Sequence, residues 1–149
     1  VKLDERELTD ELIARRGEVP GQPFGLYAVL ADDPAAALGR SVEREVFMEF
    51  FGNTEELLAA EYEPYEIQTL FLIAVDHRRL VPVGVERFIM PSHAGLKTLH
   101  DIERVWGQST DEVLSRAGIV LSESRSWDVA TIAIRPEYRG KASDGMLSA

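Results

Sequence analysis

Hydrophobic positions change rhythm several times along this chain, and each change marks an element. Leu3, Leu8, Leu12 and Ile13 fall roughly on one side of a helical wheel. That spacing predicts an amphipathic helix over residues 3–16, stopped by Gly17. Pro20-Gly21-Gln22-Pro23 is a turn, and the apolar run from Phe24 to Leu30 is a strand. Asp32-Asp33-Pro34 offers an N-cap with proline in the first helical turn. Leu38, Val42, Val46 and Phe50 then keep near-helical spacing over about residues 34–51. Thr54, followed by Glu55-Glu56, opens a short helix that reaches about Tyr62.

The second half turns β-rich. Phe71-Leu72-Ile73-Ala74-Val75 is a continuous apolar run of the kind a buried strand shows, and Val81 to Met90 is a second strand. The intervening Asp76-His77-Arg78-Arg79 makes the two a hairpin. Pro91 stops the second strand. Residues 97–106 and 110–117 read as helices, the latter opened by Ser109-Thr110 with acids in its first turn. Trp127 to Ile134 is the last strand. The order predicts a single α/β domain over residues 1–149, with a mostly antiparallel sheet flanked by helices and a final βα unit. Phe47, Phe50 and Phe51, together with Trp106 and Trp127, are expected in its core.

Composition adds limits. With 149 residues and 45% apolar content the chain can bury a core of its own. It has no apolar run of membrane-spanning length, and its charged first residues do not resemble a signal peptide. It has no cysteine, which removes disulfides, a thiol nucleophile and thiolate zinc sites and is compatible with the cytoplasm. The three histidines are scattered, which predicts no metal site. The net charge of −10 lies entirely in residues 1–70, which hold 16 acids and 6 bases; residues 71–149 hold 10 of each. The acidic half argues against non-specific nucleic-acid binding, which needs a basic face.

The neutral half holds the first chemical motif. The last strand ends at Pro136, and Glu137-Tyr138-Arg139-Gly140-Lys141-Ala142-Ser143-Asp144-Gly145 follows before the chain turns apolar at Met146-Leu147. Strand, small-residue loop and helix start together suit a diphosphate, because loop amides and the helix N-terminus both present partial positive charge. The stretch resembles the acyl-CoA-binding motif of the GNAT acyltransferase superfamily, "P-x-Y-R-G-K-G-x-G". The match runs through Arg139-Gly140-Lys141; Ala142 and Asp144 depart from the family's glycines, and Gly145 stands one step further on. By that resemblance Arg139, Gly140, Lys141, Ala142 and Gly145 hold the diphosphate, and backbone groups of Ile132, Ala133 and Ile134 hold the thioester carbonyl. Few residues remain after the helix start, so the chain is expected to be the front part of a longer domain, or one that a partner chain, a second copy included, completes.

A second constellation precedes it. Glu63-Pro64-Tyr65-Glu66 stands shortly before Phe71-Leu72, and Gly84-Val85-Glu86-Arg87-Phe88-Ile89-Met90-Pro91 follows. This order resembles the "D-x-x-D", "Y-L" and "G-x-x-R-x-x-P" of a GNAT-related branch, the acyl-homoserine-lactone synthases and N-acyl amino acid synthases, with Glu for Asp and Phe for Tyr. The two resemblances cover about residues 60–145. Glu63 and Glu66 have three readings: neighbouring carboxylates, one with a raised pKa that suits a general base; a salt bridge to Arg87; or a solvated acidic loop. Arg87 alternates with Glu86 and points with Val83, Val85 and Ile89, so it needs a buried partner or an anionic ligand. Glu86, on the opposite face, is a second candidate base, and Asp128 a third.

What the resemblance implies is an N-acyltransferase. An amine attacks the thioester of acetyl-CoA, a longer acyl-CoA or an acyl-carrier protein directly, without a covalent enzyme intermediate and without a metal. The rival expectation is a non-catalytic module of the same fold that binds an acyl carrier or a protein partner.

Overall fold

The computed structural model describes residues 4–17 and 21–140. The expected roles of Lys141, Ala142 and Gly145, and the helix start near Ser143, lie outside the described residues. Four strands form one antiparallel sheet in the order β1-β2-β3-β4, where β1 is Phe24–Leu30, β2 Thr69–Asp76, β3 Val81–Ile89 and β4 Asp128–Ile134. The sheet is flanked by helices, so the chain is α/β as its hydrophobic rhythm predicts.

Helix α1, Glu5–Arg16, and helix α2, Ala36–Phe51, cover one face of the sheet. Leu12 of α1 and Leu38, Val42 and Val46 of α2 meet Val29, Phe71, Ile73, Val75 and Val85 in a sealed core. Gly39 sets how close α2 can come. A Cβ there would stand 2.9 Å from Cδ1 of Phe71, so any side chain would lift the helix off the sheet. The α2 entry differs from the simple N-cap expected at Asp32-Asp33-Pro34. Asp33 accepts from the Ala35 N–H at 2.9 Å and pairs with Arg15 at 2.9 Å, tying α1 to α2, and the helix begins only at Ala36.

Helix α3, Glu55–Tyr62, is capped by Thr54, whose hydroxyl accepts from the Leu57 N–H. It runs into a 3₁₀ turn, Glu63–Gln68, that starts β2. The β2–β3 hairpin is built as an Asx turn: Asp76 accepts from the N–H groups of Arg78 and Arg79, and Leu80 closes it at φ 54°. His77 in that turn is not a solvated side chain as its position suggests. One ring nitrogen lies 2.8 Å from the Tyr27 hydroxyl and the other 2.9 Å from the Gln22 carbonyl oxygen.

Helix α4, Lys97–Trp106, and helix α5, Thr110–Arg116, follow β3 along the chain and precede β4. The aromatic expectation holds for Phe47, which packs partly buried against the core, and fails for the rest. Phe50, Phe51, Trp106 and Trp127 are all exposed, because the α2 stripe that meets the sheet is centred on Val42 and Val46 and stops short of its last turn. The other face of the sheet has no helical cover among the described residues. Leu26, Leu30, Val129 and Ile132 all stand exposed there.

Candidate functional site

The site is assembled around one cation. Alternation along β3 puts Arg87 on the helix-covered face with Val85 and Ile89, and the residue is only 3% exposed. A guanidinium there needs acceptors on every side. Glu43 of α2 supplies two in a bidentate fork: Arg87 Nε donates to Oε1 at 2.9 Å and Nη2 to Oε2 at 2.6 Å. Glu66, from the 3₁₀ turn, accepts from Arg87 Nη1 at 2.9 Å. The cation is sandwiched between aromatic faces, 4.2 Å from the Tyr62 ring centroid and 4.6 Å from that of Phe71.

The acids are satisfied in turn. Glu43 Oε1 accepts from the Thr131 hydroxyl of β4 at 2.5 Å, which joins α2, β3 and β4 in one network. Glu66 Oε1 accepts from Arg40 Nε at 2.7 Å, and Arg40 Nη2 donates to the Ala31 carbonyl. Burial alone pushes the Glu66 carboxyl up, but hydrogen bonds and charge from Arg87 and Arg40 outweigh it and hold the group below the usual carboxylate range. Glu66 is therefore a committed anion, and the reading of an acid pair with one raised pKa does not describe it. Burial pushes the Tyr62 hydroxyl up to about 12, so it stays protonated beside the network.

The other candidate residues are dispersed. Glu63 lies at the exposed start of the 3₁₀ turn. Glu86 is half-buried on the opposite face of β3. Asp128 is buried and serves as a long-range cap for α4. Its carboxylate accepts from both the N–H and the hydroxyl of Thr98 at 2.7 Å, where α4 has no cap from its own Leu96. His100 Nδ1 lies 2.5 Å from the Tyr65 hydroxyl, and His93 is exposed.

β4 is an edge strand, unpaired on its outer side among the described residues. The Arg135 N–H donates inward to Val83, so strand alternation turns the amides of Ile134 and Ile132 outward and that of Ala133 inward. The Ile132 side chain is 67% exposed on the open face, while Ala133 is in the core. Arg139 folds back on the strand end: its Nε donates to the Ile134 carbonyl at 2.8 Å, and its guanidinium lies 4.1 Å from the Phe50 ring centroid. Gly140 follows at φ 73°. Beyond the strand, Arg135 is buried between Glu5 at 2.8 Å and Glu45 at 3.0 Å, and pins α1 to the end of β4.

Three members of the Arg87 network escaped the sequence reading. Glu43 carried a signal: it lies one turn from Gly39 on the buried stripe of α2, where an acid has no place without a cation opposite. Thr131 and Arg40 carried none. Among the described residues no three His, Asp or Glu side chains form a metal-binding group. No described helix is long and apolar enough to cross a membrane. Comparison of the chain with protein-family models, with curated proteins and with solved structures returns no match.

Proposed function

We propose that the domain is an N-acyltransferase, moving an acyl group from a coenzyme A or acyl-carrier-protein thioester to an amine by direct attack. The observation that carries the reading is the outer edge of β4, which pairs with no strand among the described residues. Its outward amides at Ile132 and Ile134 stand beside an uncovered apolar face, and the strand leads straight into Arg139-Gly140. A thioester carbonyl placed against that edge would find a fixed N–H donor where negative charge develops during attack. An acyl chain would find apolar surface beside it. The Arg87 network supports the reading in a different way, because through Glu43 and Thr131 it ties β4 to β3 and α2. Glu86, half-buried on the open side of β3 and paired in register with Ile132, is the base this geometry favours.

Thiol release from acetyl-CoA and from a long-chain acyl-CoA, measured against a panel of amino acids and polyamines, tests the proposal. Amine-dependent release that falls at least about tenfold in Glu86→Gln supports both the reaction and the base. Absence of release with every pair would sink the reaction. The uncovered apolar face favours a second reading, a non-catalytic module that binds an acyl carrier or protein partner. Thioester binding without turnover would select it.

A further inference from the structure

A cleft of about 540 Å³ opens between α2, α3 and the 3₁₀ turn, on the helix-covered side of the sheet and away from the open face. That is the size of a small-molecule site. Its floor is the Arg87 network. Ala37, Leu58, Ala59 and Tyr62 give it apolar walls, and its mouth carries Arg44, Glu55 and Glu63.

The charges in it do not cancel. Arg87 is taken by Glu43 and Glu66, Arg40 by Glu66, and Arg44 by Glu55 at 2.9 Å. Every cation of the cleft thus has its anion. Glu63 has no ion pair among the described residues, and the lining holds four glutamates against three arginines. An anionic ligand would meet arginines already neutralised by their own carboxylates. A cationic one would only have to reach Glu63.

We propose that this cleft binds a small organic monocation, an ammonium or guanidinium on a short aliphatic body, with Glu63 as its counter-ion and the Leu58–Tyr62 wall against its alkyl part. The assignment goes beyond acyl transfer and does not depend on it: the cleft opens on the helix-covered side, opposite the open face that the acyl-transfer reading uses, and binding is read without any thioester.

Calorimetric titration of the whole chain with n-butylammonium, n-butylguanidinium and neutral 1-pentanol tests it. The expected result is saturable binding of one cation per chain, with the alcohol weaker by roughly tenfold. Glu63→Gln should weaken both cations roughly fivefold, in line with a solvent-accessible ion pair. Ala59→Trp, a substitution at an exposed wall position, should abolish binding while leaving the circular dichroism spectrum unchanged. Equal binding of alcohol and cations, or unchanged cation affinity in Glu63→Gln, would overturn the assignment. So would full binding to a folded Ala59→Trp. Because acyl transfer is read by thiol release, either proposal can fail while the other stands.

Discussion

The two faces of the sheet carry equally apolar residues and meet opposite fates. Phe71, Ile73 and Val85 are sealed under α1 and α2, while Leu26 and Ile132, on strands of the same sheet, are about two-thirds exposed. Hydrophobicity does not distinguish them. Strands such as Thr-Leu-Phe-Leu-Ile-Ala-Val and Asp-Val-Ala-Thr-Ile-Ala-Ile are nearly continuous in apolar residues, the pattern of strands buried on both sides. What differs is the covering layer, and with it the chemistry each face can host. The covered face holds a charge network whose centre, Arg87 and Glu43, is buried. The open face offers backbone and apolar surface with little charge beyond Glu86.

The sharpest way to break this comparison is to remove charge from the covered face. Glu43→Gln leaves Arg87 buried with only Glu66 as an anionic partner, and should cost about 3–5 kcal/mol in urea or thermal unfolding. Replacing both partners, as in Glu43→Met with Arg87→Met, should recover much of that loss, because the penalty comes from the orphaned charge. A double variant no more stable than Glu43→Gln would show that the network contributes more than mutual satisfaction. Phe71→Ala, which empties the core beneath Arg87, belongs in the same range, about 3–5 kcal/mol.

Acid should act on the same side of the sheet. The Glu66 carboxyl is held below its ordinary range by Arg87 and Arg40, and that of Glu5 by Arg135, in each case against the upward push of burial. A carboxylate with a depressed folded-state pKa stabilises the fold fully above its unfolded value of about 4.3, and that contribution is lost as pH falls through the folded value. Stability should therefore hold from pH 7 to about 5 and decline steadily below about 4.5. Urea midpoints across that range, compared with Glu66→Gln, isolate the share that belongs to this group. An unchanged acid slope in the variant would remove Glu66 from the account.

Much of the covered face could be read along the chain. The spacing of Leu38, Val42 and Val46 placed α2, and the apolar run at 71–75 with the β-rich stretch at 81–90 placed the hairpin, because both depend on local pattern. Arg87 announced its need for a partner, since a guanidinium among Val83, Val85 and Ile89 is costly alone. The identity of its main partner was harder. Glu43 is 44 positions away and no local rule pairs it with β3; only an acid on the buried stripe of α2 hinted at it. The aromatic errors share one cause. Phe50, Phe51, Trp106 and Trp127 have the composition of a core, and composition cannot say which face of an element is covered. Asp128 shows the same limit for polar groups, because its role as a cap for α4 exists only once β4 and α4 are adjacent.

The smallest expected effect tests the open face itself. Ile132→Ser removes an apolar side chain that is already in water, so stability should change by less than about 0.5 kcal/mol, against the several lost at Phe71. The same substitution, combined with Leu26→Ser, should reduce binding of an apolar fluorescent dye, because an uncovered sheet face of this kind is the patch such a dye reports. A large loss of stability in Ile132→Ser would mean that the face is covered in solution. The difference between the two sides would then lie in which partner covers each, with both faces built to be buried.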